Sequence, residues 1–418
     1  MRYQAPRGTE DVTPGESYRW LYLESQFREI SRRYGYREVR TPVFEDSELF
    51  LRTSGETSDV VSKEMYSFMD KGDRHISLKP ELTAPAMRAV IEHNLCPPGT
   101  TLRMSYIGPI FRYGRPQRGR LREAHQVGLE LVGSASVLAE SELLEVTDHY
   151  LREIGLTKHR IHINSIGRDQ CRATYREVIL NHLASYLQML TEEDRAKAHK
   201  NPLRLLDTKD EKLREALYDL PPILDYLDDE SRSDFEQLQV KLSESGVPFR
   251  VDSSIVRGLD YYTGTVFEVL HESLGPTSSL CGGGRYDGLI KQLGGASTPS
   301  VGMGMGIERA LLCLEGEGIT ISELRPDAVM VIATPDAQPV GQQLAQDLRN
   351  HGLEVITDLD GRSMKSMLRQ ADKVNARFAL ILGSEELAAG GIQVRDLSKG
   401  EQQLLPLSEV INALRRPA

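Results

Sequence analysis

Between Phe111 and Arg122 the chain reads FRYGRPQRGRLR, with five arginines (Arg112, Arg115, Arg118, Arg120 and Arg122) and no acid. Over all 418 residues, 61 acidic against 51 basic side chains leave a formal net charge of −10. A stretch this basic on an acidic chain is a focused anion trap, suited to nucleotide phosphates or to the end of a nucleic acid. Its flanks, SYIGPIF before and EAHQVGLELVG after, have strand character, so the arginines lie along a strand, a tight loop and a second strand. Taken alone, the same stretch also reads as a solvated basic hairpin.

The length predicts two or three domains. An apolar share of 39% with 27% charged residues predicts a soluble globular chain with ample core. Cys96, Cys171, Cys281 and Cys313 lie far apart without a C-x-x-C pair, which argues against a disulfide scaffold or structural zinc. The opening MRYQAPRGTEDV has no apolar signal core, and no run approaches a membrane span, so a cytoplasmic protein with no membrane partner is expected. No segment fits the phosphate loop G-x-x-x-x-G-K-[ST], and Gly302, Gly304 and Gly306 do not fit G-x-G-x-x-G. A nucleotide would have to be held by arginines on an antiparallel sheet.

Residues 17–34 carry helical apolar spacing closed by Gly35, and a short strand follows at 36–39. Strands are expected near 75–79, 101–106, 109–113 and 122–132, then again within 249–270 and 278–286. Residues 170–248 are rich in helix formers and charge and read as a helical insertion. A helix starts near Gly306. The glycines and proline of 316–326 mark a boundary, beyond which strands (329–333, 353–357, 378–382) alternate with helices (338–351, 363–375). That rhythm predicts a small α/β domain with a largely parallel sheet. The expected division is 1–322, a mixed α+β body with the insertion, and 326–418.

Within 122–132, Gln126, Gly128 and Glu130 share one face, and Val127, Leu129 and Leu131 the other. This predicts a polar pocket wall with room above Gly128; a solvent-facing strand surface is the plainer alternative. In IVRGLDYYTGTVFEV (255–269), Arg257, Asp260, Tyr261 and Tyr262 are expected on a strand or bulge between Gly258 and Gly264. Adjacent tyrosines on a strand point to opposite faces, and Arg257 needs an anionic partner or a route to solvent. CGGGRYDGL (281–289) places three glycines before Arg285 and Tyr286, which permits close backbone approach. Arg309 lies near the start of an amphipathic helix, where a solvated arginine is the bland reading.

Together these pieces resemble a known family. TPVFED resembles motif 1 of class II aminoacyl-tRNA synthetases, FRYGRPQRGR motif 2 and GMGIER motif 3. LKPELTAP (78–85), AHQVGLE (124–130), VRGLDYYTGTVFE (256–268), RGTEDVTPGE (7–16) and CGGGRYDGLIKQLGG (281–295) resemble the histidyl-tRNA synthetase family, over essentially the whole chain. The resemblance implies a class II antiparallel sheet with helices, a helical insertion and a C-terminal α/β anticodon-binding domain. It implies a ligase that activates L-histidine with ATP to histidyl-adenylate and pyrophosphate, then moves the histidyl group to the 3′ end of histidine tRNA. Charge builds on phosphate oxygens in the first step, so preorganised cations are the main need.

By that resemblance Arg112 holds the α-phosphate, Arg257 bridges substrate carboxylate and α-phosphate, and Arg309 and Arg120 belong to the ATP site, with Mg²⁺ on the pyrophosphate. No zinc or organic prosthetic group is implied. Glu81, Thr83 and Gln126 would accept from the histidine ammonium, and Glu130 and Tyr262 would read the imidazole, with Tyr261 and Tyr286 as pocket wall. Arg115, Gln117 and Arg118 would meet the tRNA acceptor end, and Pro42 would lie in a homodimer interface. Four positions depart from the family pattern: Gly114 stands where motif 2 carries an acid, Lys79 replaces an arginine, Leu82 a glycine and Ala124 an aromatic. Two other readings compete: the regulatory paralogue that serves ATP phosphoribosyltransferase, and a synthetase for glycine, proline or threonine. Intact RGLDYY and the motif 2 arginine argue against the first; Gln126, Glu130 and Tyr262 together argue against the second.

Overall fold

Alternating apolar residues at Leu102–Phe111 and Glu123–Val132 pair antiparallel over ten residues, at the heart of the larger of two units. In the computed structural model, which describes residues 3–54, 60–186, 190–208, 210–275, 279–323 and 328–414, these units are Met1–Ile321 and Ser322–Ala418. Part of the expected boundary, 324–327, lies outside the described residues, as do 415–418.

Among the described residues the strands of the first unit are β1 (Arg37–Glu38), β2 (Phe44–Asp46), β3 (Ser67–Met69), β4 (His75–Leu78), β5 (Leu102–Phe111), β6 (Glu123–Val132), β7 (Arg160–Ser165), β8 (Phe249–Val251), β9 (Thr265–Leu270), β10 (Ser279–Arg285) and β11 (Ser300–Gly306). Eight form one sheet in the order β1-β5-β6-β11-β10-β9-β7-β8, and β2-β4-β3 form a small second sheet. Parallel pairing is confined to the edges of the large sheet, β1 with β5 and β7 with β8. One face carries Val127, Leu129 and Leu131 into a core built with helices Ser17–Arg33, Val137–Glu153 and Ile307–Gly316. Each fully buried leucine or phenylalanine contributes about 1.5–3 kcal/mol there. That face anchors the sheet and leaves the other free to carry polar groups.

Three local expectations change. The strands expected at 101–106 and 109–113 are one strand, β5, running through Pro109. Proline is tolerated because β1 covers β5 only at Met104 and Ser105, and His125 opposite gives its N–H to Glu308 Oε1 (2.8 Å). The segment 252–264, expected as strand or bulge, is a loop, and pairing begins only at Thr265. The helical region 170–248, expected as an insertion, divides between two apolar clusters. Its last helix, Asp229–Glu244, sends Phe235, Leu238 and Leu242 into the sheet's apolar core, at a helical spacing masked by its many charges. Ile179, Leu203 and Leu205, earlier in the same region, pack instead on the opposite cluster.

The second unit contains β12 (Val329–Ala333), β13 (Val355–Thr357), β14 (Phe378–Leu382), β15 (Gly391–Asp396) and β16 (Glu401–Pro406), ordered β13-β12-β14-β15-β16. The first three strands are mutually parallel, while β14, β15 and β16 pair antiparallel, so the sheet is mixed rather than largely parallel. The β15–β16 hairpin escapes a sequence reading because almost all of β16 is exposed and shows no apolar alternation.

Candidate active site

The polar face of β6 points where its alternation says it should, but the space above Gly128 is taken. Tyr106, directly opposite on β5, lays its ring over that glycine, where a Cβ would collide with it. Tyr106 donates its hydroxyl to Glu130 Oε1 (2.7 Å), and Tyr286 donates to Oε2. Glu130 is fully buried, and a Cβ on its neighbour Gly302 would strike its carboxylate. Burial pushes Glu130 up to about 8, against the three hydroxyls that favour its charged form.

Glu81 precedes the helix Thr83–Glu92 and is 4% exposed. Its Oε2 accepts from Tyr261 OH (3.1 Å), while Oε1 is buried with no hydrogen-bond partner. Burial raises it to about 7, with the Tyr261 hydrogen bond, the charge of Arg112 and the backbone N–H of Ala84 pulling the other way. A buried acceptor left open beside a cation is the signature of a missing donor. Thr83 Oγ1 lies 3.3 Å from Tyr106 OH, and Gln126 faces Gly306 and Gly108 from β6.

The tyrosines do not behave as strand neighbours. Because 252–264 is a loop, Tyr261 and Tyr262 turn to the same side, with ring centroids 4.7 Å apart, and both contact Tyr286 (5.5 and 6.3 Å). Arg257 enters the same pocket. Its Nη1 pairs with Glu268 Oε1 (2.5 Å), its guanidinium lies 5.7 Å from the Tyr262 ring centre, and its buried Nε has no partner. The glycine run of β10 makes room for it, since a Cβ on Gly282 would collide with the guanidinium.

Arg112, Arg120 and Arg309 form the cationic end. Arg112 gives Nε to Pro80 O (2.8 Å), and Arg309 gives Nε to Gly119 O (3.0 Å) and Nη1 to Ser279 O (2.5 Å). Both are thus held by carbonyls. Burial, then the neighbouring arginines, lowers the pKa of Arg309; burial does the same for Arg112, with Glu64 and Glu81 opposing. A phosphate would relieve this repulsion. Arg120 differs, being paired with Glu64 Oε1 (2.7 Å). Glu64, which no motif singled out, also places that oxygen 3.1 Å from where a Cβ on Gly114 would sit. An acid is therefore present at this spot, delivered by another segment.

Arg115, Gln117 and Arg118 are exposed on the motif 2 loop, closed by the Gln117–Arg120 bridge. Arg118 reaches only to 3.8 Å of Glu315. The cavity beside this loop, about 470 Å³, includes none of Glu81, Glu130 or Arg257, and acids such as Glu10, Asp11, Glu123 and Glu315 line it. Arg285, by contrast, is a core residue, bonded to Glu140 Oε1 (2.6 Å). Lys79 is buried with Nζ on Thr41 O (3.3 Å), and Leu82 packs in the tyrosine cluster. Pro42 is exposed beside Val43 and Phe44. Tyr106, Glu64 and Glu268 were missed by sequence reasoning; only the cross-strand position of Tyr106 opposite Gly128 carried any signal. Among the described residues, no cluster of three or more His, Cys, Asp or Glu could hold a metal, and no helix is long and apolar enough to cross a membrane.

A family model for histidyl-tRNA synthetase matches residues 8–310, and one for an anticodon binding domain matches 327–416. The histidine–tRNA ligase of Caldanaerobacter subterraneus subsp. tengcongensis is 44% identical over 416 residues, 99% of this chain and 100% of the relative. That of Geobacillus kaustophilus is 42% identical, covering 99% and 98%. Among solved structures, the apo histidyl-tRNA synthetase of S. aureus matches with a TM-score of 0.84 at 33% identity, covering 99% of this chain and all of the other. A Bacillus halodurans protein described as an ATP phosphoribosyltransferase regulatory subunit/histidyl-tRNA synthetase shares the fold, with a TM-score of 0.66 at 22% identity and coverage of 92% and 99%. With a family model matching residues 8–310 and full-length relatives at this identity, the chain belongs to the histidyl-tRNA synthetase family of class II aminoacyl-tRNA synthetases.

Proposed function

We propose that the cleft of the first unit carries out histidine–tRNA ligation through its opposed cationic and carboxylate ends. The observation that carries this reading is the open Glu81 Oε1, buried within reach of the charge of Arg112. An α-amino acid fits that pair, its ammonium on Glu81, Thr83 and Gln126 and its carboxylate toward Arg112 and Arg257. Glu130 and Tyr262 would meet the imidazole, with Tyr261 and Tyr286 closing the pocket.

The histidine carboxylate then attacks the α-phosphorus of ATP and pyrophosphate leaves. Arg112 and Arg257 stabilise charge on the α-phosphoryl oxygens, and Arg309 and Arg120 hold the departing phosphates. Mg²⁺ bound to the phosphates of ATP would screen their charge. No protein nucleophile is required. In the second step a ribose hydroxyl at the tRNA 3′ end attacks the histidyl carbonyl and AMP leaves. Residues 327–416, matching an anticodon binding domain, would read the other end of histidine tRNA. A homodimer is supported by the apolar side chains of Val43 and Phe44, exposed beside Pro42, with Phe68 and Met69 exposed on the same small sheet as Phe44.

The test is amino-acid-dependent ATP–pyrophosphate exchange with each of the twenty amino acids. Histidine alone should support exchange; equal exchange with another amino acid, or none with histidine, overturns the reading.

The loop arginines divide by exposure. Arg118, whose guanidinium stands free of the ATP end, would contact a backbone phosphate of the acceptor end, and Gln117 would lie against a base edge. Arg118→Ala should weaken charging and flatten its salt dependence by about one counterion's worth, leaving tRNA-independent exchange intact. If exchange collapses with charging across the salt series, Arg118 belongs to the ATP site.

A further inference from the structure

The loop that brings Arg257, Tyr261 and Tyr262 into the pocket lies outside the sheet, so strand pairing does not hold its shape. Side chains from the insertion hold it instead. Asp260, at the turn of the loop, accepts from Arg204 Nε (3.0 Å) and Nη2 (2.8 Å) and from Asn201 Nδ2 (2.7 Å). Arg204 Nη2 also reaches Gly258 O (3.4 Å), and Arg172 of helix Asp169–His182 donates to Tyr262 O. The Arg204 and Asp260 side chains are only 10% and 28% exposed, so their pairing is sheltered from solvent. Leu203 and Leu205, flanking Arg204, share one apolar cluster with Tyr261, Tyr262 and Tyr286.

Arg204 and Asn201 make hydrogen bonds to the loop and none to Glu81, Glu130 or Arg257. They line a small cavity with Arg257, Asp260 and Tyr262, and those hydrogen bonds end on the Asp260 carboxylate and on Gly258 O, so what they fix is the loop itself. We propose that Arg204 and Asn201 of the insertion are positioning residues for the histidine pocket, acting through Asp260 to hold Arg257, Tyr261 and Tyr262 in place. The physical reason is preorganisation: a loop that must order on binding gives up affinity, whereas one clasped beforehand does not. The insertion thereby becomes a structural part of amino-acid recognition, and any contact that shifts Pro202–Asp207 is felt at the pocket. The proposal rests on the reading of Arg257 and the two tyrosines as substrate contacts.

Histidine-dependent pyrophosphate exchange on the full chain tests it, using Arg204→Gln, Arg204→Lys, Asp260→Asn and the Arg204→Gln/Asp260→Asn pair, each with a thermal melt and assayed well below its midpoint. Arg204→Gln and Asp260→Asn should each raise the histidine KM at least tenfold and leave the ATP KM within about twofold. The double variant should be no worse than either single one, because both remove the same clasp, and Arg204→Lys should recover part of the loss. A histidine KM within twofold of wild type in Arg204→Gln, losses that multiply in the double variant, or an ATP KM that rises as much as the histidine KM overturns the proposal. Arg257→Ala run alongside separates the two layers. If it is crippled while Arg204→Gln is normal, the clasp alone fails; if both are normal, the pocket reading fails and the clasp with it.

Discussion

Arg257→Ala is expected to slow histidine-dependent pyrophosphate exchange roughly a hundred- to a thousand-fold, about 3–4 kcal/mol of transition-state stabilisation. The size follows from where the cation stands. Arg257 is held by Glu268 Oε1 (2.5 Å), seated over Gly282, and keeps a buried Nε without a partner, so it is aimed before substrate arrives. No reorganisation is then needed as charge develops on the α-phosphoryl group. Removing it also deletes the Glu268 ion pair, so each variant needs a thermal melt beside its rate. The comparison therefore belongs at 25 °C, well below the melting transition. Arg257→Lys should fall between the two, retaining charge but losing the planar fork. Exchange within a few-fold of wild type in Arg257→Ala would mean that the arginine only braces the sheet.

Glu130→Gln is expected to raise the histidine KM by ten- to a hundred-fold with the ATP KM nearly unchanged. In the wild type both carboxylate oxygens accept, from Tyr106 and Tyr286, and a glutamine can accept at only one position. The amide then turns a donor toward one tyrosine, and the pocket loses its arrangement for a neutral imidazole. The pH profile adds a second readout. Burial raises Glu130 to about 8, so its titration falls within reach of neutral pH. A ligand N–H favours the ionised form, so histidine affinity should weaken as pH falls below about 8, by at most tenfold per pH unit. Glu130→Gln should lose this dependence. Glu81, raised to about 7 by burial, adds a second step at lower pH that the variant leaves in place. Titration of histidine by calorimetry between pH 6 and 9 checks both; an unchanged profile in the variant removes Glu130 from imidazole recognition.

Much of this site could be read from residue type and local order. The arginine run without an acid contains two of the three cations of the cationic end, Arg112 and Arg120, and a period of two on β6 separates Gln126 and Glu130 from Val127, Leu129 and Leu131. Both signals are local, because charge density and strand alternation need only neighbouring residues. The alternating strands and helices after residue 328 are legible for the same reason.

What the sequence alone does not contain is which distant groups meet. Tyr261 finds Glu81 across 180 positions, and Tyr286 finds Glu130 across 156. The space above Gly128 looks open in one strand and is filled once β5 pairs with it and brings Tyr106 across. Tyr261 and Tyr262 share a side because Asp260 is clasped by Arg204 and the backbone leaves the sheet, whereas strand geometry would send them apart. The acid over Gly114 comes from Glu64, fifty positions upstream. In each case a local preference worth a few tenths to one kcal/mol yields to burial, packing and buried hydrogen bonds worth more. The chain's residue types thus determine which chemistry is available, and tertiary packing decides which of those residues share a pocket.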